Sequence, residues 1–240
     1  GRAGWNIVTG YLDSAARAMG MASQMAHDDR YDLADEYMDL VYKLWEGSWA
    51  DDAVRADRAE GLYADPARVR RVRHEGAQYR LDAPHLVEPS PQRTPVLFQA
   101  GASDRGRRFA ARHAECVFVN GGAKPAVAQL VADLRARAAE RPLKVLVGAT
   151  LVVGRTEAEA RDLLEDYRRH ASVEGALAHA SASLGIDFAR YGMDEPIEAG
   201  PTQAIQSNVE AAKRAAGPVW TKRKLIDQFV LGSRQPPIVG

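Results

Sequence analysis

Ser90 to Arg107 reads Ser-Pro-Gln-Arg-Thr-Pro-Val-Leu-Phe-Gln-Ala-Gly-Ala-Ser-Asp-Arg-Gly-Arg. A loop punctuated by Pro89, Pro91 and Pro95 gives way to the apolar run Val96, Leu97, Phe98, then to Gln99-Ala100-Gly101-Ala102-Ser103, and a helical pattern begins near Asp104. This order predicts strand, tight turn and helix. Such a turn leaves the first amides of the helix without intrahelical partners, converging where the helix dipole favours negative charge. A phosphate suits that place, and a charge-assisted bond from the Ser103 hydroxyl would add about 1.5–3 kcal/mol. The plainer reading is that Gly101 only makes the turn and Ser103 only caps the helix. Taken alone the stretch favours the plainer reading, because short capped βα loops are common.

Working outward, the same unit repeats. Downstream, Cys116 to Asn120 predicts a strand closed by Gly121-Gly122, and Pro125 opens a helix carrying Val127, Leu130, Val131 and Leu134. Val145 to Val153 is almost continuously apolar, as a strand buried on both faces would be. Thr156, with Glu159 as its capping-box partner, starts a helix running to about His170. Upstream, Trp5 to Thr9 reads as a strand ended by Gly10, and Ser14 to Ala26 as loop or loose helix. Asp28 and Asp29 then offer an N-cap for an amphipathic helix with Leu33, Tyr37, Met38, Val41, Leu44 and Trp45 on one face, ended by Gly47.

Residues 48–91 lose this periodicity and read as an excursion between βα units, with a short hairpin around His74 to Leu81. Residues 172–240 read as a mainly helical insertion region: Glu174 to Leu184, Ala204 to Ala215 and Thr221 to Leu231 are helical, Ile186 to Tyr191 and Met193 to Pro201 form an irregular connection, and no further strand stands out. Repeated βα units predict an α/β fold with a parallel sheet, either an open doubly wound sheet or an arc of a (β/α)8 barrel. Both place ligands at the C-terminal ends of the strands, which gathers Thr9-Gly10, Gln99 to Ser103 and Asn120 to Gly122 on one rim.

Composition narrows the function. Among 240 residues, Lys plus Arg equals Asp plus Glu at 32 each, so no global field invites nucleic acid or an anionic membrane. The single cysteine, Cys116, lies in an apolar run, so no disulfide framework or thiolate metal site is expected, and a reducing cytoplasmic setting fits. No apolar run approaches the ~20 residues of a membrane span. Neither His-Glu-x-x-His nor a Gly-x-Ser-x-Gly elbow occurs, which argues against metal-dependent and serine hydrolases. His27 and Tyr31, four apart at a helix start, either share a face toward a polar ligand or are ordinary surface residues; alone, the surface reading is favoured.

Read together, the phrases change the balance. Gly4-Trp5-Asn6-Ile7-Val8-Thr9, His27-Asp28-Asp29-Arg30-Tyr31 leading into Ala34-Asp35-Glu36-Tyr37, Leu44-Trp45-Glu46-Gly47-Ser48-Trp49, and Pro89-Ser90-Pro91-Gln92 through Gln99-Ala100-Gly101-Ala102-Ser103 occur in one order. The set closely resembles flavin-dependent monooxygenases of the nitrilotriacetate monooxygenase type, in the bacterial luciferase-like superfamily. The resemblance covers most of residues 1 to 190 and thins toward the C-terminus.

It implies a single luciferase-like monooxygenase domain over 1–240, a (β/α)8 TIM barrel present as an incomplete barrel of about four βα units with helical insertions. Some three βα units before Trp5 and a closing strand after the last residue would lie outside the sequence, which begins without an initiator methionine, as a fragment would. Such a piece alone is expected to bind FMN weakly and to turn nothing over. The implied activity is oxygenation of a small organic substrate by O₂ through a flavin C4a-(hydro)peroxide. Reduced FMN (FMNH₂) would come from a separate flavin reductase, and the protein would be a cytoplasmic homo-oligomer. The resemblance also implies that His27, Tyr31 and Ser103 contact FMN. Ala102 and Ser103 at the helix start suit its phosphate, with Tyr31 donating to the same group. Thr9 is expected against the isoalloxazine ring, while Gly10 stands where relatives commonly carry serine. No acid or base is assigned.

Two alternatives stand beside this reading: a deazaflavin-dependent hydride-transfer relative, which Trp-Asn-Ile-Val-Thr argues against, and a non-catalytic truncated paralogue keeping only barrel surface and oligomer contacts. The substrate is not legible. Arg55, Arg58 and Arg80 would suit a carboxylate, but solvated surface is the favoured reading.

Overall fold

The apolar run of the opening stretch becomes an inner strand of a parallel sheet. The computed structural model describes residues 2–198, 204–229, 231 and 237–239. Strand β1 (Gly4–Ile7) leads through α1 (Asp13–Ala18) to the long helix α2 (His27–Gly47). Four short strands follow, β2 (Val54–Asp57), β3 (Leu62–Ala64), β4 (Val72–Glu75) and β5 (Arg80–Ala83). Next come β6 (Val96–Gln99), α3 (Asp104–His113), β7 (Cys116–Asn120), α4 (Lys124–Ala138), β8 (Lys144–Gly148), β9 (Leu151–Val152) and α5 (Glu157–His170). The remainder holds α6 (Val173–Leu184), α7 (Gln206–Ala216), α8 (Lys222–Ile226) and β10 (Ile238–Val239).

Strands β1, β6, β7 and β8 pair in that order, all parallel, which carries the expected mixed α/β architecture. Alternation along each strand divides the sheet into two faces. One face packs on helices: Ile7 and Leu97 join Tyr31, Met38, Val41 and Phe109 from α2 and α3, and Val117 and Val119 join Ala110 of α3, Ala114 at its C-cap and Leu134 of α4. Each fully buried Leu, Val or Phe in these clusters contributes about 1.5–3 kcal/mol. The other face presents Phe98 stacked on Phe118, with ring centroids 5.4 Å apart, and Leu146 beside them. Phe118 and Leu146 are exposed. A third cluster, including Leu184, Phe188, Trp220 and Leu225, holds α6, α7 and α8 together.

The excursion contains two antiparallel hairpins, β2–β3 and the expected β4–β5, in which His74 pairs with Leu81. Two buried or half-buried side chains moor it. Ser48 Oγ donates to the Arg70 carbonyl at 3.0 Å and accepts from the His85 amide at 2.7 Å. The Glu36 carboxylate on α2 accepts from the amides of Gln78 (2.9 Å) and Tyr79 (2.7 Å) in the β4–β5 turn.

Several boundaries differ from expectation. Strand β1 stops at Ile7, so Thr9 lies in the loop beyond it, ahead of Gly10, whose φ of +71° needs glycine. Helix α2 begins at His27, with Ala26 as N-cap; Asp28 and Asp29 sit inside its first turn, where they complement the dipole instead of capping. The run Val145 to Val153 is two strands, broken after Gly148, and Leu146 and Val147 are exposed, so burial on both faces does not hold there. β9 pairs in parallel with β10, a strand not expected after residue 172; two residues give no periodicity, and only the tertiary pairing defines them. Thr156 caps α5 by accepting from the Glu159 amide, but the Glu159 carboxylate returns to the amide of Arg155, one residue earlier than in a standard capping box. The end of the expected connection Met193 to Pro201, Val230 in the expected Thr221 to Leu231 helix, and Gln235, Pro236 and Gly240 of the C-terminal stretch lie outside the described residues.

Candidate functional site

The β6–α3 turn keeps both of its sequence readings. Ser103 has extended backbone and its Oγ accepts from the Gly106 amide at 3.1 Å, so it caps α3. That bond uses one lone pair; a hydroxyl also carries a proton to donate, so capping and anion binding are compatible on one side chain. Buried Gln99, the last residue of β6, ties the turn down. Its Oε1 accepts from the Gly101 amide and its Nε2 donates to the Tyr31 hydroxyl at 3.4 Å.

Tyr31 comes from the first turns of α2, which lie against this turn. Its ring packs on Phe109 (centroids 5.5 Å) and on the edge of His27 (5.3 Å), and the Arg105 guanidinium stands 5.5 Å from its centroid. Because α2 begins at His27, the four-residue spacing does place His27 and Tyr31 on one face, both buried. His27 Nδ1 lies 2.6 Å from Asp28 Oδ1. Arg30, between them, is also buried; its Nη1 donates to the Met25 carbonyl at 2.5 Å, and burial pulls the guanidinium below its ordinary pKa.

Two glycines hold the space open. A Cβ on Gly106 would lie 2.8 Å from the Tyr31 hydroxyl and 3.0 Å from Ser103 Oγ, and one on Gly101 would lie 2.5 Å from the Tyr31 hydroxyl. The two hydroxyls therefore flank one spot at the start of α3. A cavity of about 220 Å³ opens there, lined by Thr9, His27, Arg30, Tyr31, Ala102 and Ser103 among others. The structure thus brings together all five residues singled out from the sequence, with Thr9 from a loop. Gln99 lies on the expected rim, though with no role assigned from the sequence, and Arg30 is an addition. Arg30 sits three residues after His27 on the same helical face, and that spacing was the available signal. Arg55, Arg58 and Arg80 are exposed on the hairpins and line neither this cavity nor the larger one beside it.

Comparison with known proteins decides the family. The family described as luciferase-like monooxygenase matches residues 1–236 of the chain. The chain belongs to the luciferase-like monooxygenase family. It is 41% identical over 246 residues to a dimethyl-sulfide monooxygenase of Hyphomicrobium sulfonivorans, covering 100% of this chain and 51% of that protein. A long-chain alkane monooxygenase of Geobacillus thermodenitrificans is 42% identical over 236 residues, covering 95% of this chain and 54% of its own. Among solved structures, a riboflavin lyase with modified FMN and substrate riboflavin matches with TM-score 0.87 at 38% identity, over 99% of this chain and 53% of that one. This luciferase-like chain therefore spans about half the length of the curated relatives it matches. Among its described residues no helix is long and apolar enough to cross a membrane.

Proposed function

We propose that this chain carries the FMN-binding part of a reduced-flavin-dependent monooxygenase, the oxygenating component of a two-component system whose flavin is reduced by a separate enzyme. One observation carries the reading: the Tyr31 and Ser103 hydroxyls and the buried Arg30 line one cavity at the start of α3. A cation, two hydroxyl donors and unpaired helix amides form an anion site of the kind a phosphomonoester fills. The glycines at 101 and 106 leave that spot clear of side chains, so the residues present fit the phosphate end of FMN.

When bound, reduced FMN supplies the electrons that activate O₂. The chain's own residues bind and orient. Ser103 donates its hydroxyl proton to the phosphate while its oxygen holds the helix cap; Tyr31, steadied by Gln99 and Phe109, donates beside it. Arg30 balances the phosphate charge in a place where burial strengthens the attraction. His27 packs on Tyr31, and Thr9 lines the same cavity, where it would help to hold the flavin. None of these roles requires an acid–base dyad, in keeping with chemistry that belongs to the cofactor.

The same reading takes the β1-β6-β7-β8 sheet as an arc of a (β/α)8 barrel, in which Phe98, Phe118 and Leu146 face the interior. Support comes from the exposure of Phe118 and Leu146 on the face away from the helices. Anaerobic titration of the full-length protein with FMNH₂, followed by oxygen uptake with added flavin reductase across small organic compounds, tests the proposal. Saturable binding with substrate-dependent oxygen uptake supports it. Absence of FMNH₂ binding up to millimolar concentration removes it.

A further inference from the structure

A larger cavity, of about 700 Å³, adjoins the first. Tyr11 and Ile205 line both, so the two share a wall. The larger one is bounded by Asn120 at the C-terminal end of β7, by His179 on α6, by Asn208 on α7 and by Gln228 just past α8. It therefore sits on the rim where parallel α/β sheets take their ligands, under the helical region that follows α5.

The composition of its walls restricts what enters. Among the described residues that line it there is no Asp, Glu, Lys or Arg; the ionisable side chains are Tyr11 and His179. A carboxylate or ammonium entering would shed hydration with no countercharge from the described lining residues, a cost that a neutral molecule does not carry. Gln228 contributes a neutral amide side chain to this wall.

We infer that this cavity is the compartment of the molecule to be oxygenated, and that it takes an uncharged small organic molecule in preference to a carboxylated or cationic one. The inference rests on the flavin reading of the first cavity, because the shared wall is what makes the second a reaction compartment.

Hexanamide, hexanoate and hexylammonium, alike in size and different in charge, are titrated into the protein by calorimetry with and without FMN. Hexanamide is expected to bind at least 10-fold more tightly than either ion, equally well with FMN present. Ala211→Trp, at an exposed α7 position on the cavity wall, is expected to weaken hexanamide at least 10-fold and leave FMN affinity unchanged. Gln228→Glu is expected to turn the preference toward hexylammonium. Hexanoate binding as tightly as hexanamide, hexanamide displacing FMN, or Ala211→Trp without effect overturns the inference. Normal FMN binding without the charge preference overturns this inference alone. Failed FMN binding with the preference intact overturns the flavin reading and, with it, the role as reaction compartment.

Discussion

The hydroxyl of Tyr31 stands over the backbone of Gly106, so close that a Cβ there would lie 2.8 Å away. Helices α2 and α3 meet at this point, and the fit between them also shapes the cavity. Gly106→Ala forces α3 or Tyr31 to move, as overpacking of a dense core does, at a cost of about 1–3 kcal/mol. Urea unfolding should show that loss, and FMN affinity should fall with it. Unchanged stability and unchanged affinity would contradict the close approach.

The β4–β5 turn hangs from one carboxylate. Glu36 accepts from the Gln78 and Tyr79 amides and lies 3.2 Å from His74 Nε2; these bonds hold its pKa below the usual glutamate value, although desolvation, the largest single influence, pushes it upward. Glu36→Ala should raise hydrogen exchange at the amides of residues 76–79 and leave FMN affinity unchanged, since neither cavity includes this turn. Unaltered exchange there would show that the hairpin is held by its other contacts.

Behind the site, Asp35 lies 2.6 Å from His113 Nε2 and 2.5 Å from Arg105 Nη2. Burial by itself would raise its pKa, but the hydrogen bonds from His113 and Arg105 outweigh that and hold the carboxyl below the usual aspartate range. With the folded value depressed, the stabilisation is complete above the unfolded pKa of about 3.9 and is lost as pH falls through the folded value. Stability should therefore decline on acidification below about pH 4, and Asp35→Asn should be less stable at neutral pH with a flatter acid limb. A stability difference between the two proteins that stays constant from pH 7 to pH 2 would contradict this.

Much of the fold was legible because local and tertiary preferences agree. Val96, Leu97 and Phe98 have both the β propensity and the apolar face that β6 needs, and Ser103 caps α3 as its position implies. The Leu33 to Trp45 periodicity marks α2. Legibility ended where pairing or burial decides. Nothing local separates Val145–Gly148 from Leu151–Val152 as strands with different partners, since Ile238 and Val239 are remote in sequence. An apolar run also implied burial that Leu146 and Val147 lack, because periodicity reports side-chain type and not what covers it. In the site, the His27 to Tyr31 phrase and the Ser103 turn were visible, yet only the packing of α2 on α3 brings them together. The spacing of Arg30 from His27 hints at a shared face, but only its burial sets it apart from the many solvated arginines.

The central claim is that Ser103 and Tyr31 hold a phosphate, and comparison of FMN with riboflavin, which lacks that group, tests it most directly. The protein should bind FMN at least 10-fold more tightly than riboflavin, about 1.4 kcal/mol. Ser103→Ala should weaken FMN several-fold while leaving riboflavin affinity unchanged. Equal affinity for the two flavins, or a Ser103→Ala protein that keeps the full FMN preference, would contradict the account.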